Sequence, residues 1–199
     1  MPRALSTADI QGFRERLIDA AERQFAEHGL EAVTMRQLAG ELGVSPMTPY
    51  RYFKDKDDIL AAVRARAFNR HADAIEAAYA RADGPIERAN AAGEAYIRFA
   101  LEHPEAYKLM FDVKQPSAND YPDLIAASQR SKRTMTAHVE DMIRAGYLTG
   151  DADLIGHMFW SALHGAIQLE LSGMLAPPFD AARLIAATMS TLWQGLRRP

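Results

Sequence analysis

Apolar side chains recur three and four residues apart along almost the whole chain, and no stretch alternates as a half-buried strand does. From Asp9 to His28, Phe13, Leu17, Ala21 and Phe25 fall every four residues and predict one helix with one buried stripe, stopped at Gly29. Leu30 and Val33 are expected to pack the turn that follows. Thr34 can cap a second helix whose buried face is Leu38, Ala39 and Leu42, and Gly43 falls where that helix must end. Val44 plugs the corner, Ser45 caps a third helix, and Pro46 occupies its first position, where a missing N–H is tolerated. Two short helices with a small residue at 39 and a glycine between them make a helix-turn-helix pattern.

The pattern then lengthens. Asp55 to about Ala82 reads as one long helix with Ile59, Leu60, Val63, Ala67, Phe68 and Ile75 on its buried side, broken at Asp83-Gly84-Pro85. A helix over 85–103 carries Tyr96 and Phe99, and Pro104 opens a short one bearing Tyr107, Met110 and Phe111. Residues 112–122 read as a loop, and 123–145 as a helix ending at Gly146. Two more helices, 151–173 and 179–196, complete an all-α fold. The first of them is apolar nearly all round, with Leu154, Met158, Ala162, Gly165 and Leu169 on one side and Trp160, Leu163, Ile167 and Leu171 on the other. Such a helix must be covered on every side, which points to a partner subunit; the last helix, with Ala182, Ile185, Ala186, Met189, Leu192 and Leu196, is expected to join the same interface.

The helix opening at Pro46 is polar and aromatic where a core helix would be apolar. Phe53 is its expected anchor. Tyr50, Arg51 and Tyr52, followed by Lys54 and Lys56, suit phosphate and base-edge contacts from a major groove. The bland alternative is an interaction helix in an ordinary bundle.

The run GVSPMTPYRYFKDKDDIL resembles the signature of the tetracycline-repressor (TetR) family, in which Gly-Val-Ser opens a recognition helix, Tyr-x-Phe closes it and Lys begins the next helix. The preceding RLIDAAERQFAEHGLEAVTMRQLAGELG resembles the first two helices of that family. The match departs at Pro49, where the family more often has Leu. That proline is expected to remove one backbone hydrogen bond and to push Thr48 away from helical geometry, which bears on whether Met47 or Thr48 reaches the bases. FWSALHG, Phe159 through Gly165, together with YIRFALEHPEAYKLMF, is similar to the WHG-type C-terminal domain that accompanies such DNA-binding domains. The resemblance implies a three-helix DNA-binding bundle over 1–56 and a helical ligand-binding and dimerisation domain over 57–199. Its DNA-binding candidates are Thr34, Arg36, Ser45, Met47, Thr48, Tyr50, Arg51, Tyr52 and Lys56. Its ligand-binding candidates are Tyr96, Phe99, Tyr107, Met110, Phe111, Met142, Trp160 and His164.

Composition adjusts this reading at a few points. Net charge is −3, and residues 1–56 carry equal numbers of basic and acidic side chains, so counterion release has to come from a locally basic face. Residues 1–8 are expected to form a mobile arm with Arg3 available to DNA or merely frayed. With no cysteine there is no disulfide or thiol chemistry, and no apolar run reads as a signal peptide or a membrane span, which points to the cytoplasm.

No catalytic set or cofactor motif stands out. Asp153, His157 and His164 share one helix face, so a metal site with His138 as a further ligand is a candidate, against a plain polar contact from His164. Methionine beside Tyr and His among the aromatics suits an adaptable, mostly apolar pocket, against plain core. The expectation is a homodimeric repressor on a pseudo-palindromic operator, released by a small apolar or aromatic effector. The rivals are an all-α enzyme centred on His157 and His164, and a DNA-binding protein without a ligand.

Overall fold

The computed structural model describes residues 7–111 and 120–197; residues 1–6 of the expected N-terminal arm, Arg3 among them, and residues 112–119 of the expected loop lie outside them, whereas Thr7 and Ala8 of that arm open the first helix. Eight α-helices account for the described fold, and no strand occurs among the described residues. They are α1 (Thr7–His28), α2 (Met35–Glu41), α3 (Lys56–Arg81), α4 (Pro85–Glu102), α5 (Pro104–Phe111), α6 (Pro122–Arg144), α7 (Ala152–Leu171) and α8 (Ala181–Leu196). The chain divides into two compact units, Met1–Ala67 with Lys108–Ala127, and Phe68–Tyr107 with Ser128–Pro199. The helices α3, α5 and α6 each contribute to both units.

In the first unit the stripe of α1 is buried at Leu17, Ala21 and Phe25, with Leu17 and Ala21 fully enclosed and Phe13 partly buried, against Leu38, Phe53, Ile59 and Val63. Thr34 and Gln37 form a reciprocal capping box at the start of α2, satisfying two otherwise free amides. Gly43 takes a positive φ of 66°, and its neighbour Val44 donates back to the Ala39 carbonyl, so the chain reverses out of α2 in a conformation that a side chain would strain.

The third helix of the pattern differs from expectation. No α-helix opens at Pro46; the segment is a series of tight turns ending in one 3-10 turn over Pro49–Arg51. Pro49 is the cause. An α-helix capped at Ser45 needs an N–H on residue 49 to reach the Ser45 carbonyl, and proline has none. Thr48 takes that carbonyl instead at 2.8 Å, and Arg51 and Tyr52 repeat the three-residue spacing onto Thr48 and Pro49. Thr48 itself stays helical (φ −64°, ψ −45°), contrary to the expected displacement. The first unit also buries Arg64, whose guanidinium donates to the Leu109 and Met110 carbonyls at 2.9 and 3.2 Å. These are open carbonyls of the last turn of α5.

In the second unit α7 and α8 start on aspartate caps, Asp151 accepting from Asp153 and Leu154, and Asp180 from Arg183. α7 packs on α8 and on α4. Its Leu163 and Ile167 face are buried, whereas Leu154 is 62% exposed and Met158 and Leu169 are also open in the single chain. Gly156 allows a close approach of α7 to α6: a Cβ there would stand 2.9 Å from the Met135 carbonyl oxygen.

Candidate nucleic-acid interface and ligand cavity

Around the 3-10 turn, Ser45, Met47, Tyr50 and Arg51 are exposed, as are Thr34 and Arg36 on α2. Met47 is 68% exposed and Tyr50 49%, unusual for such side chains in a segment this well anchored. The anchors are Phe53, which is buried, and Pro49. Thr48 is half-buried. Tyr52 is also half-buried, stacked against Phe13 with ring centroids 4.7 Å apart, and its carbonyl accepts from Arg14 at 3.0 Å. Lys56 donates from Nζ to the Leu30 carbonyl at 2.9 Å. Tyr52 and Lys56 therefore also tie the turn to the body of the first unit, a role periodicity alone does not disclose.

The second unit encloses a partly open cavity of about 480 Å³. α4 contributes Asn90, Gly93, Tyr96 and Ile97 to its wall, and α6 contributes Thr134, Met135, His138 and Met142. α7 adds Gly156, Phe159, Trp160 and Leu163, and α8 adds Ile185, Met189 and Trp193. The size and the mainly apolar lining suit a small molecule.

One wall carries a continuous hydrogen-bonded relay. Trp160 donates from Nε1 to the Tyr96 hydroxyl at 3.0 Å, which lies 2.6 Å from the Tyr107 hydroxyl, which lies 2.5 Å from His164 Nδ1. Burial pushes the Tyr96 phenol pKa up, so it stays neutral and serves as a hydrogen-bonding group. Behind it, buried His71 meets Tyr96 and Phe99 edge to face, and its Nδ1 pairs with the Ser131 hydroxyl at 2.9 Å.

Of the sequence candidates for ligand contact, Tyr96, Met142 and Trp160 line the cavity. Tyr107 and His164 stand behind them in the relay, and Phe99 packs on His71 and His103. Met110 and Phe111 belong to the first compact unit, outside the cavity. His138, Phe159, Met189 and Trp193 are cavity residues that the sequence reading did not assign to ligand contact. The signal for the last three was available in the apolar faces of the final two helices, but not which face turned inward.

The candidate metal face does not converge. His157 turns Nδ1 back onto the Asp153 carbonyl at 2.5 Å, and His164 is engaged by Tyr107. Among the described residues no group of three His, Cys, Asp or Glu could hold a metal, and no helix is long and apolar enough to cross a membrane.

Comparison with known proteins agrees with this geometry. Residues 17–63 match a family profile described as bacterial regulatory proteins, tetR family, and residues 89–192 match one described as tetracyclin repressor-like, C-terminal domain. An uncharacterised HTH-type transcriptional regulator of Mycobacterium tuberculosis, Rv0681, is 28% identical over 166 residues, spanning 81% of this chain and 72% of the relative. A solved protein of unknown function from Rhodococcus sp. RHA1 covers both chains completely at 29% identity and a TM-score of 0.82. The TetR family regulator PfmR of Thermus thermophilus is 27% identical with a TM-score of 0.67, covering 92% of this chain and all of that one. With one profile spanning half the chain and the other its helix-turn-helix, this all-α protein belongs to the TetR family: it is a DNA-binding transcriptional regulator, not an enzyme.

Proposed function

We propose that the protein is a homodimeric repressor that binds a pseudo-palindromic operator and leaves it when a small, mainly apolar effector occupies the cavity of the second unit. The cavity is the observation that carries this reading. A fold kept only for packing would close about 480 Å³ of apolar space, because each unfilled methyl-sized void costs about 1 kcal/mol. The apolar outer face of α7, with Leu154, Met158 and Leu169 open in the single chain, supports a dimer built from α7 and α8.

In this proposal the turn around Tyr50 and Arg51 enters the major groove, with Thr34, Arg36, Ser45, Met47 and Thr48 beside it and Tyr52 and Lys56 completing the surface. Two such turns read half-sites one helical turn, about 34–36 Å, or a multiple apart. Effector binding is transmitted by α3, which begins at Lys56 and carries Ile75 to the cavity wall. An effector acts only through its preference for the conformation that fits DNA poorly. Typical coupling of about 1–3 kcal/mol weakens operator binding roughly 5–150-fold, and the operator weakens effector binding by the same factor.

Both tryptophans line the cavity, so Trp193→Phe leaves Trp160 as a single reporter. Compounds that shift its fluorescence should release labelled operator in an anisotropy titration. If compounds that fill the cavity leave operator affinity unchanged, the regulatory role is refuted.

A further inference from the structure

Each polar side chain on the cavity wall except one either has its hydrogen bonds made inside the protein or stands exposed at the mouth. The Trp160 and Tyr96 groups are engaged in their relay, and the Thr134 hydroxyl donates to the Ser131 carbonyl at 2.7 Å. Asn90 and Glu94 are exposed, at the mouth. His138 is the exception.

Its Nδ1 lies 3.2 Å from the Thr134 carbonyl on its own helix. A carbonyl only accepts, so Nδ1 carries the proton. Burial lowers the His138 pKa, against the opposing pull of the Thr134 hydrogen bond and of Asp141. The ring is then neutral and has a single proton, already placed. Its Nε2, the ring atom farthest from the backbone, is left as a bare lone pair with no partner among the described residues.

Charge narrows the ligand further. The described lining contains no lysine or arginine, and its one carboxylate, Glu94, stands at the mouth. An anionic head would meet a lone pair inside or a carboxylate at the entrance, with no cation at either place. An ammonium carried inside would have no carboxylate to pair with. Either charge would have to be desolvated without compensation.

Resting on the reading of this cavity as the effector site, we propose that the effector is an uncharged, largely apolar molecule with one hydrogen-bond donor, a hydroxyl or an amide N–H, presented to Nε2 of His138. Taking about 30 Å³ of liquid volume per water-sized group, the cavity holds roughly 16 non-hydrogen atoms.

A matched decyl series tests this at pH 8: decan-1-ol, its methyl ether, decanoate and decylamine, titrated into the full chain by calorimetry and by quenching of Trp160 and Trp193. The alcohol should bind about 2–12-fold more tightly than the ether, the span of one neutral hydrogen bond. The carboxylate and the amine should bind about 10-fold more weakly than the alcohol, or worse. In His138→Phe the alcohol and ether should converge, while His138→Gln, which keeps an acceptor, should retain a preference for the alcohol.

Equal binding of alcohol and ether to the natural protein overturns the donor assignment, and a charged member binding best overturns the uncharged class. Both results leave the effector site itself standing. If none of the four binds, perturbs either tryptophan or raises the melting temperature, the cavity is not a ligand site and both readings fall.

Discussion

Replacing Gly156 by alanine tests the close approach of α7 to α6, because two opposing effects can be separated with one control. Glycine in a helix interior costs about 1 kcal/mol relative to alanine, so the substitution by itself stabilises. Against this, the added methyl would stand 2.9 Å from the Met135 carbonyl oxygen and 3.1 Å from Thr136 Cγ2. The first neighbour is backbone and cannot swing aside, so one helix must shift; overpacking of this kind costs about 1–3 kcal/mol. The net effect is a destabilisation of about 1 kcal/mol.

Gly93→Ala in α4 is the control, since a Cβ there meets nothing within 4 Å and only the helix gain remains. The gap between the two variants isolates the steric cost. At about 2–4 °C per kcal/mol for a chain of this size, Gly156→Ala should melt roughly 2–12 °C below Gly93→Ala. Circular dichroism melts at matched protein concentration decide the point, concentration mattering if the protein dimerises. Equal upward shifts in both variants would refute the tight helix contact.

Arg64→Leu removes the charge-assisted bonds to the Leu109 and Met110 carbonyls and leaves them buried, so unfolding in urea should show a loss of roughly 3 kcal/mol. His71 has its pKa lowered by burial from 6.5 to about 4, so the folded state resists a proton that the unfolded chain accepts. Stability should be flat in this contribution above pH 6.5 and fall by roughly 3 kcal/mol towards pH 4, and His71→Phe should lessen that slope in pH-dependent denaturation; an unchanged slope would exclude His71 as its source. Arg51→Ala should cost about 1–3 kcal/mol at one operator base pair if the guanidinium reads a guanine. Lys56→Ala should weaken binding to all sequences and lower the salt slope by roughly 1; operator titrations unaffected in both variants would move the DNA surface elsewhere. Ala186→Glu, at an exposed position of α8, should yield a monomer in sizing chromatography if α7 and α8 form the dimer, because a carboxylate is costly in a dry interface.

The sequence alone determined the eight α-helices that form and nearly where they stop, although it also predicted an α-helix at Pro46 that does not form. Periodic apolar positions, the Thr34 capping residue, Gly43, Gly84-Pro85 and Pro104 act through local backbone geometry and short-range hydrogen bonds, which need no tertiary partner to be legible. The exposed character of Met47, Tyr50 and Arg51 was legible for the same reason, since a short segment anchored by Phe53 cannot bury all its large side chains. Even within local reach the result was a competition. Pro49 could displace Thr48 or tighten the turn, and the Ser45 carbonyl, left without its α-helical donor, was recaptured by Thr48.

What only the tertiary structure decided is which faces meet. The Trp160–Tyr96–Tyr107–His164 relay joins residues up to 68 positions apart, and no spacing rule connects them. The apolar surroundings of α7 told that it must be covered, not that Leu163 would turn inward and Leu154 outward. Met110 resembled the cavity residues in chemistry and helix position, yet it was drawn into the first unit, where buried Arg64 holds its carbonyl. The sequence offered His138 only as a further ligand of a metal site. Its bare Nε2 exists only because a neighbouring carbonyl fixes the proton on Nδ1 and packing keeps the ring neutral. Local pattern sets the faces a helix can offer; the low dielectric and the long-range pairing of the fold set what each face becomes.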